Sequence, residues 1–284
     1  MRQRVLLVCA LWLFAGCGGI PNLELKKLAT AEPATPVQFF YDSSGGKVEA
    51  FLVRPKGPGP FPLIVLVHGH SANAAGAEPM VPIAEAISRD MCYAGLAVSL
   101  PGYGNTAVER GGDRETIARL LADGIAQAAR LPWIDGGRVI LYGFSRGAVF
   151  AAASVSSLPS LRAVVLHSGA YDIARLYRET SVAWVRKVLN PNGDADPKLF
   201  NILPEVSSWK APVLVLHGAQ DALLPVNQAE LLDKQLAAAG VPHRTVIFPG
   251  ASHRLPIDGV RAEVFAFLQR HVGPACSTDG RSTG

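Results

Sequence analysis

The sequence predicts an α/β fold: a mostly parallel, twisted sheet with helices on both faces. Three observations carry this. Short apolar runs recur at Leu63–Val67, Ala97–Leu100, Val139–Tyr142, Ala163–His167, Val213–His217 and Thr245–Phe248. Most are continuous rather than alternating, as strands buried on both faces require. Between them lie segments with apolar residues at helical spacing. Finally, the run Arg138–Tyr142 leads through Gly143-Phe144-Ser145-Arg146-Gly147 into a small-residue stretch, Ala148–Val155, that reads as a helix. Strands alternating with helices give parallel pairing through crossover connections.

The elements follow in order. Residues 1–16 carry Arg2 and Arg4, then the apolar run Val5–Phe14, too short to span a membrane, and read as a signal peptide. Leu13-Phe-Ala-Gly-Cys17 resembles a bacterial lipobox, with Phe14 where that motif prefers a smaller aliphatic residue. Cys17 is therefore the expected lipidation site, and the protein is expected to be exported and anchored by lipid on the extracytoplasmic side of a membrane. Residues 17–36, with prolines at 21, 33 and 36, read as the tether. Val37–Asp42 and Lys47–Arg54 flank Ser43-Ser-Gly-Gly46, an N-terminal antiparallel hairpin signal.

The α/β core spans residues 37–272. Ile117, Leu121, Ile125 and Ala128 share one helix face. So do Ala229, Leu232, Leu236 and Ala239, and later Val260, Val264 and Phe267. Tyr171–Lys210 interrupts the rhythm after the sixth strand as a small insertion, a candidate cap over a pocket or a packing helix with a surface loop. Residues 273–284 are polar and Gly-rich and are expected to form a disordered tail.

Composition narrows the function classes. Apolar residues make up 49% and charged residues 18%, which marks a globular chain. Formal charge is +4; without Arg2 and Arg4 the balance is 25 basic against 23 acidic residues. With no basic patch interleaved with aromatics, no nucleic-acid partner is expected. The cysteines show no metal-ligand spacing, and no cofactor is implied. A bridge between Cys92 and Cys276 is permitted outside the cytoplasm, but a buried Cys92 and an idle Cys276 are the simpler expectation.

Gly-x-Ser-x-Gly between strand and helix is the signature of a nucleophile elbow. The glycines leave room where strand and helix crowd the serine. A serine hydroxyl becomes a useful nucleophile when a base removes its proton, and an acid fixes that base. His253, in a Gly-Ala-Ser loop past a strand-like run, has little core to serve and is the candidate base. Asp221, just past Val213–His217, is the candidate acid, and Asp172, past an earlier strand, is its rival. Asp258 reads as a helix cap. His167 and His217 end apolar runs and read as packed or hydrogen-bonding residues; His243 and His271 carry no motif. Acyl transfer also needs oxyanion donors. The backbone N–H of Arg146 follows the nucleophile, and that of His70 lies in the loop after Leu63–Val67. A metal reading of His68-x-His70 lacks a third ligand. The Arg146 side chain either faces the pocket or makes a surface ion pair.

These residues together resemble the α/β-hydrolase superfamily, and within it the dienelactone hydrolase-like and prolyl oligopeptidase-like domains. Trp133-Ile-Asp135 before Arg138–Gly147 is typical of that branch, as is Ala97-Val-Ser-Leu-Pro-Gly-Tyr-Gly104, except that many members have Asp where Ser99 stands. The departure is read as the loss of a structural contact. The resemblance implies the chain order Ser145, Asp221, His253 for a catalytic triad, with Asp221 favoured over Asp172 because its turn looks like the family's. It implies a serine hydrolase acting on a small-molecule ester or acylated substrate. A peptidase or amidase on the same triad is the first alternative; this sequence leaves no room for the propeller that prolyl oligopeptidases carry. A catalytically idle binding lipoprotein is the second.

Overall fold

The computed structural model describes residues 23–109, 113–158, 160–189 and 201–274. Eight strands form one sheet: β1 (Val37–Ser43), β2 (Gly46–Val53), β3 (Phe61–Val67), β4 (Ala94–Val98), β5 (Ile134–Phe144), β6 (Leu161–His167), β7 (Val213–Gly218) and β8 (His243–Phe248). Their spatial order is β1-β2-β4-β3-β5-β6-β7-β8. β1 pairs antiparallel with β2, and β2 antiparallel with β4; every other neighbour is parallel. The hairpin turns at Ser44-Gly45, where Gly45 takes φ +95° and Gly46 φ +143°, conformations that favour glycine.

Strand periodicity divides the core into two layers. Leu63, Val65 and Val67 of β3 join Val139 and Leu141 of β5 and Val213 and Val215 of β7 on one face. That face is covered by α3 (Arg114–Ala128), α4 (Arg146–Ser154) and α7 (Asn227–Ala238), among others. Ile64, Leu66, Ile140, Leu214 and Leu216 point the other way, under α2 (Val81–Met91) and α8 (Ile257–His271). Within α3, Ile117, Leu121 and Ala128 are buried as their spacing predicts, and Asp113 caps the helix by accepting from the Thr116 amide.

The insertion after β6 holds α5 (Ile173–Glu179) and α6 (Ala183–Leu189). Ile173, Leu176 and Val185 form a third apolar cluster with Ala170, Val149 of α4 and Leu224 of the loop after β7. The insertion thus packs on the elements that bear the candidate nucleophile and acid.

Three expectations change. β4 starts at Ala94, three residues earlier than the Ala97–Leu100 run, because Ala94-Gly-Leu96 lies in register with Leu63–Val65. Part of the proposed tether is structured: α1 (Leu23–Ala29) packs on the sheet through the fully buried Leu28, and the Lys27 ammonium donates to the Gln38 carbonyl on edge strand β1. Cys92, which ends α2 at φ 55°, is disulfide-bonded and not a free thiol. Close by, the Tyr93 hydroxyl donates to the Gly273 carbonyl at 2.6 Å. Cys17, the signal peptide and residues 275–284 lie outside the described residues.

Candidate active site

β5 runs straight into α4, and Ser145 is the single residue between them, at φ 54° and ψ −120°. A non-glycine residue rarely holds this conformation, and here it lifts the side chain off the sheet edge. The flanking glycines are required by space. A Cβ on Gly143 would stand 2.5 Å from the Ala148 Cα, and one on Gly147 would stand 2.6 Å from the His68 carbonyl oxygen. The Ser145 amide donates to the His167 carbonyl at 2.8 Å, which fastens the turn to β6.

The loops after β7 and β8 bring the partners. The Ala219 amide donates to the Phe248 carbonyl at 3.0 Å and the Gln220 amide to the Ala251 carbonyl at 2.9 Å, so the two loops are zipped together. Asp221 is buried, and its Oδ1 accepts from the Leu223 and Leu224 amides, each at 2.9 Å. Its Oδ2 lies 2.7 Å from His253 Nδ1. A carboxylate only accepts, so the proton sits on Nδ1. That leaves the Nε2 lone pair facing the Ser145 hydroxyl, which donates to it at 2.9 Å. Burial pushes the Asp221 carboxyl up, but the His253 hydrogen bond, the Leu224 amide and the neighbouring imidazoles outweigh it and hold the pKa below the ordinary carboxylate value. Asp221 is therefore ionised at neutral pH, as an acid that steadies an imidazolium must be.

His217 closes the Asp221 loop from below. Its Nε2 donates to the Leu224 carbonyl at 2.7 Å and lies 3.5 Å from Asp221 Oδ2. Burial lowers its pKa, so it stays neutral. His167 is packed edge-on against Phe144 and bonded to the Tyr142 hydroxyl at 2.6 Å; burial, with the nearby His253 and His217 imidazoles, takes its pKa down to about 3. Both behave as the strand-end residues the sequence suggested. Asp172 caps α5 by accepting from the Arg175 amide at 2.9 Å, and it is Asp221 that holds His253. Asp258 stands in the first turn of α8, where an acid complements the helix dipole, while Pro256 takes the cap position.

The loop after β3 abuts the elbow: a Cβ on Gly69 would meet the Ser145 Cβ at 3.1 Å. His70 Nδ1 lies 2.6 Å from the Tyr103 hydroxyl, and the His70 ring stacks on Trp184 of α6 with centroids 6.0 Å apart. The Arg146 guanidinium lies over the Phe150 ring.

Ser99 does not mark a lost contact. Its buried hydroxyl donates to Glu49 Oε2 at 2.8 Å and accepts from the Ala77 amide at 2.8 Å. The carboxylate arrives from β2 instead of β4. Glu49 also accepts from Gln38 and from the Asn105 side chain, each at 2.7 Å, and from the Asn105 amide at 3.1 Å. Nothing in the local sequence around Glu49 signalled this role, because its partners come from three other segments.

An elbow serine, an imidazole and a buried carboxylate at the carboxyl edge of such a sheet define the class of serine hydrolases built on the α/β-hydrolase fold. Residues 116–275 match the prolyl oligopeptidase family. The chain belongs to that family. Its sequence is 29% identical over 204 residues to the uncharacterized protein Rv2307c of Mycobacterium tuberculosis, covering 67% of this chain and 68% of that one. Among solved structures it superposes on the acylaminoacyl peptidase of Pyrococcus horikoshii with a TM-score of 0.70 and 19% identity, over 87% of this chain and 43% of the peptidase chain. It also superposes on Est1E of Butyrivibrio proteoclasticus, solved with ferulic acid bound, with a TM-score of 0.65 and 19% identity, over 82% of this chain and 99% of Est1E. This chain therefore spans less than half the length of the peptidase and nearly all of Est1E.

Proposed function

We propose that this chain is a carboxylesterase that works through an acyl-enzyme, with Ser145, His253 and Asp221 as its triad. The observation that carries the proposal is the unbroken hydrogen-bonded series from Ser145 Oγ through the His253 ring to Asp221 Oδ2. Ser145 attacks the ester carbonyl while His253 Nε2 takes its proton; the same proton passes to the departing alcohol. Asp221 stabilises the imidazolium between these steps. The backbone N–H groups of Arg146 and His70 receive the oxyanion, each worth on the order of 3 kcal/mol. Water, deprotonated by His253, then releases the acid and restores the serine. Likeness along nearly the whole of Est1E, which was solved with a carboxylic acid, ferulic acid, bound, favours a carboxylic ester as substrate.

Peptide or amide cleavage by the same triad is the second reading, favoured by membership of the prolyl oligopeptidase family. Turnover of p-nitrophenyl esters against matched p-nitroanilides separates the two: the ester reading expects esters to be preferred by kcat/KM beyond their intrinsic reactivity ratio. Ser145→Ala is expected to lower kcat by about 10⁴-fold or more. Full activity in that variant refutes Ser145 as the nucleophile, whereas an inactive wild type whose Ser145 resists a fluorophosphonate probe favours the idle-binder alternative.

We further propose export and lipidation at Cys17, which the disulfide at Cys92 supports, since such bonds persist outside the cytoplasm. Metabolic labelling with palmitate should mark the wild type and miss Cys17→Ala; equal labelling of both overturns the anchor.

A further inference from the structure

The strands from β3 to β8 all run the same way, and Ser145 stands where β5 ends. The opposite edge, where these strands begin, bears a row of cations. Lys56 lies in the loop before β3, Arg130 in the turn before β5, Arg162 on the second residue of β6 and Lys210 just before β7. These strands are neighbours in the order β3-β5-β6-β7, so the bases step across the sheet at about 5 Å per strand. Arg270 joins them from the last turn of α8, where the Gly273 carbonyl accepts from Tyr93, the residue before β4. All five are exposed, and none makes an ion pair among the described residues. Arg270 complements the carboxyl end of its helix, but Lys56 stands in a loop and Arg162 on a strand, where no helix end accounts for them. Nearby acids are already taken: Asp135 by Arg138, Asp90 by Arg89 and Glu263 by Arg244. Exposed Glu32 remains to offset the row.

The N-terminal segment reaches the same edge. β2 runs antiparallel to β4, with Val53 opposite Gly95 near the start of β4, which puts Arg54 and the loop bearing Lys56 at the amino edge. The Ala34 amide donates to the Arg54 carbonyl at 2.8 Å, and the Arg54 guanidinium donates to the Ala31 carbonyl and lies over the Trp133 ring. α1 ends just before Ala31 and is pinned by the buried Leu28. Residues 18–22 are all that separate Cys17 from Leu23, a path of at most about 20 Å when fully extended. A lipid on Cys17 therefore keeps a bilayer close to α1, on the side of the molecule where the cations gather.

We propose that the amino edge of the sheet docks on an anionic phospholipid bilayer, held there by the lipid on Cys17, so that the catalytic edge opens away from the membrane and takes water-soluble esters and not lipids of the same bilayer. The proposal rests on the lipidation and hydrolase readings above. A basic side chain is drawn to an anionic lipid surface only within a Debye length, about 8 Å in physiological salt. A row along one sheet edge brings its charges that close together. The catalytic edge lies a strand's length away, about 23 Å for Phe61–Val67, well beyond that field.

The lipidated full chain, reconstituted in vesicles, reports its orientation through a dye on an introduced cysteine. Ser160→Cys places the dye beside Arg162; Ile257→Cys places it at the exposed start of α8, a few residues past His253. The unsubstituted chain is the labelling control. Vesicles are phosphatidylcholine alone or its equal mixture with phosphatidylglycerol, each containing a nitroxide-labelled lipid that quenches nearby dyes. In the mixture, quenching at residue 160 should exceed that at residue 257 by at least about threefold. Combining Lys56→Glu, Arg130→Glu, Arg162→Glu and Lys210→Glu, or raising the salt on the chain without them, should return quenching at 160 to its level on phosphatidylcholine alone. On the mixed vesicles kcat/KM for a soluble p-nitrophenyl ester should stay within about twofold of its value on phosphatidylcholine. Equal quenching at the two residues, stronger quenching at 257, a signal indifferent to anionic lipid, or loss of soluble-ester turnover on the mixed vesicles overturns the proposal. A chain that takes up no palmitate fails the anchor reading and takes this proposal with it. A chain with the expected quenching that turns over no ester on either vesicle fails the hydrolase reading instead and leaves the docking face standing.

Discussion

Among the described residues, two carboxylates are buried at the carboxyl edge of the sheet, and they serve opposite ends. Glu49, on β2, and Asp221, after β7, are both almost wholly removed from water. Burial pushes each pKa up, and hydrogen bonds bring each back below its ordinary value. The difference lies in the donors. Both oxygens of Glu49 are taken by uncharged groups of the protein: Gln38, Ser99, and the side chain and amide of Asn105. Asp221 gives one oxygen to two amides and the other to an imidazole whose far nitrogen faces a hydroxyl. A buried carboxylate whose donors cannot move is a fastening. One that shares an oxygen with a titratable ring can answer a charge that comes and goes.

Substitution at each carboxylate tests the contrast, and Asp221 is expected to give the largest effect. Asp221→Asn preserves shape but disturbs the His253 tautomer, and kcat should fall by about 10⁴-fold with little change in melting temperature. A variant that keeps wild-type kcat would make Asp221 a fastening too. Glu49→Ala should do the reverse. It strands the Ser99, Gln38 and Asn105 donors, and urea denaturation should show a loss on the order of 3 kcal/mol, while kcat per titrated site stays within about threefold. Loss of kcat without loss of stability would erase the distinction.

A third test moves the charge between strands. Ser99→Asp alone places a second carboxylate against Glu49 and should destabilise the fold, by roughly 1–3 kcal/mol. Adding Glu49→Gln should recover most of that, and a double-mutant cycle in urea measures the coupling. Additive losses would show that the two positions do not exchange the role.

The smallest effect concerns acid. His68 and His167 stay neutral in the fold, with pKa values at about 4 and about 3, whereas unfolded imidazoles take protons below about pH 6.5. Between those values the unfolded chain binds more protons, so stability rises with pH there and is complete above about 6.5. The carboxylates contribute their own loss only below about pH 5. Melting temperature should therefore decline between about pH 6.5 and 5 before either carboxylate takes part; a flat profile there would mean that these rings carry protons when folded.

Much of this was legible in the sequence because it is local. The elbow is five consecutive residues, and the glycines at 143 and 147 are dictated by atoms within the same turn and the adjacent strand. The parallel strands showed as apolar runs, and Asp221 and His253 each stand just past one. Glu49 was illegible because its four donors come from residues 38, 99 and 105, which pairing alone brings together. The helix at Leu23–Ala29 did carry a signal, with Leu25 and Leu28 three apart, but the prolines around it made the segment read as a tether.

The apolar cluster beneath α5 and α6 has a mechanical consequence. Val149 stands one turn beyond Ser145, and Leu224 supplies an amide that holds Asp221, yet both pack with Ile173, Leu176 and Val185 of the insertion. The insertion and the two elements that carry Ser145 and Asp221 therefore share one apolar seam. Remodelling α5 or α6 would strain both elements at once, because close-packed side chains pass a displacement on to their neighbours.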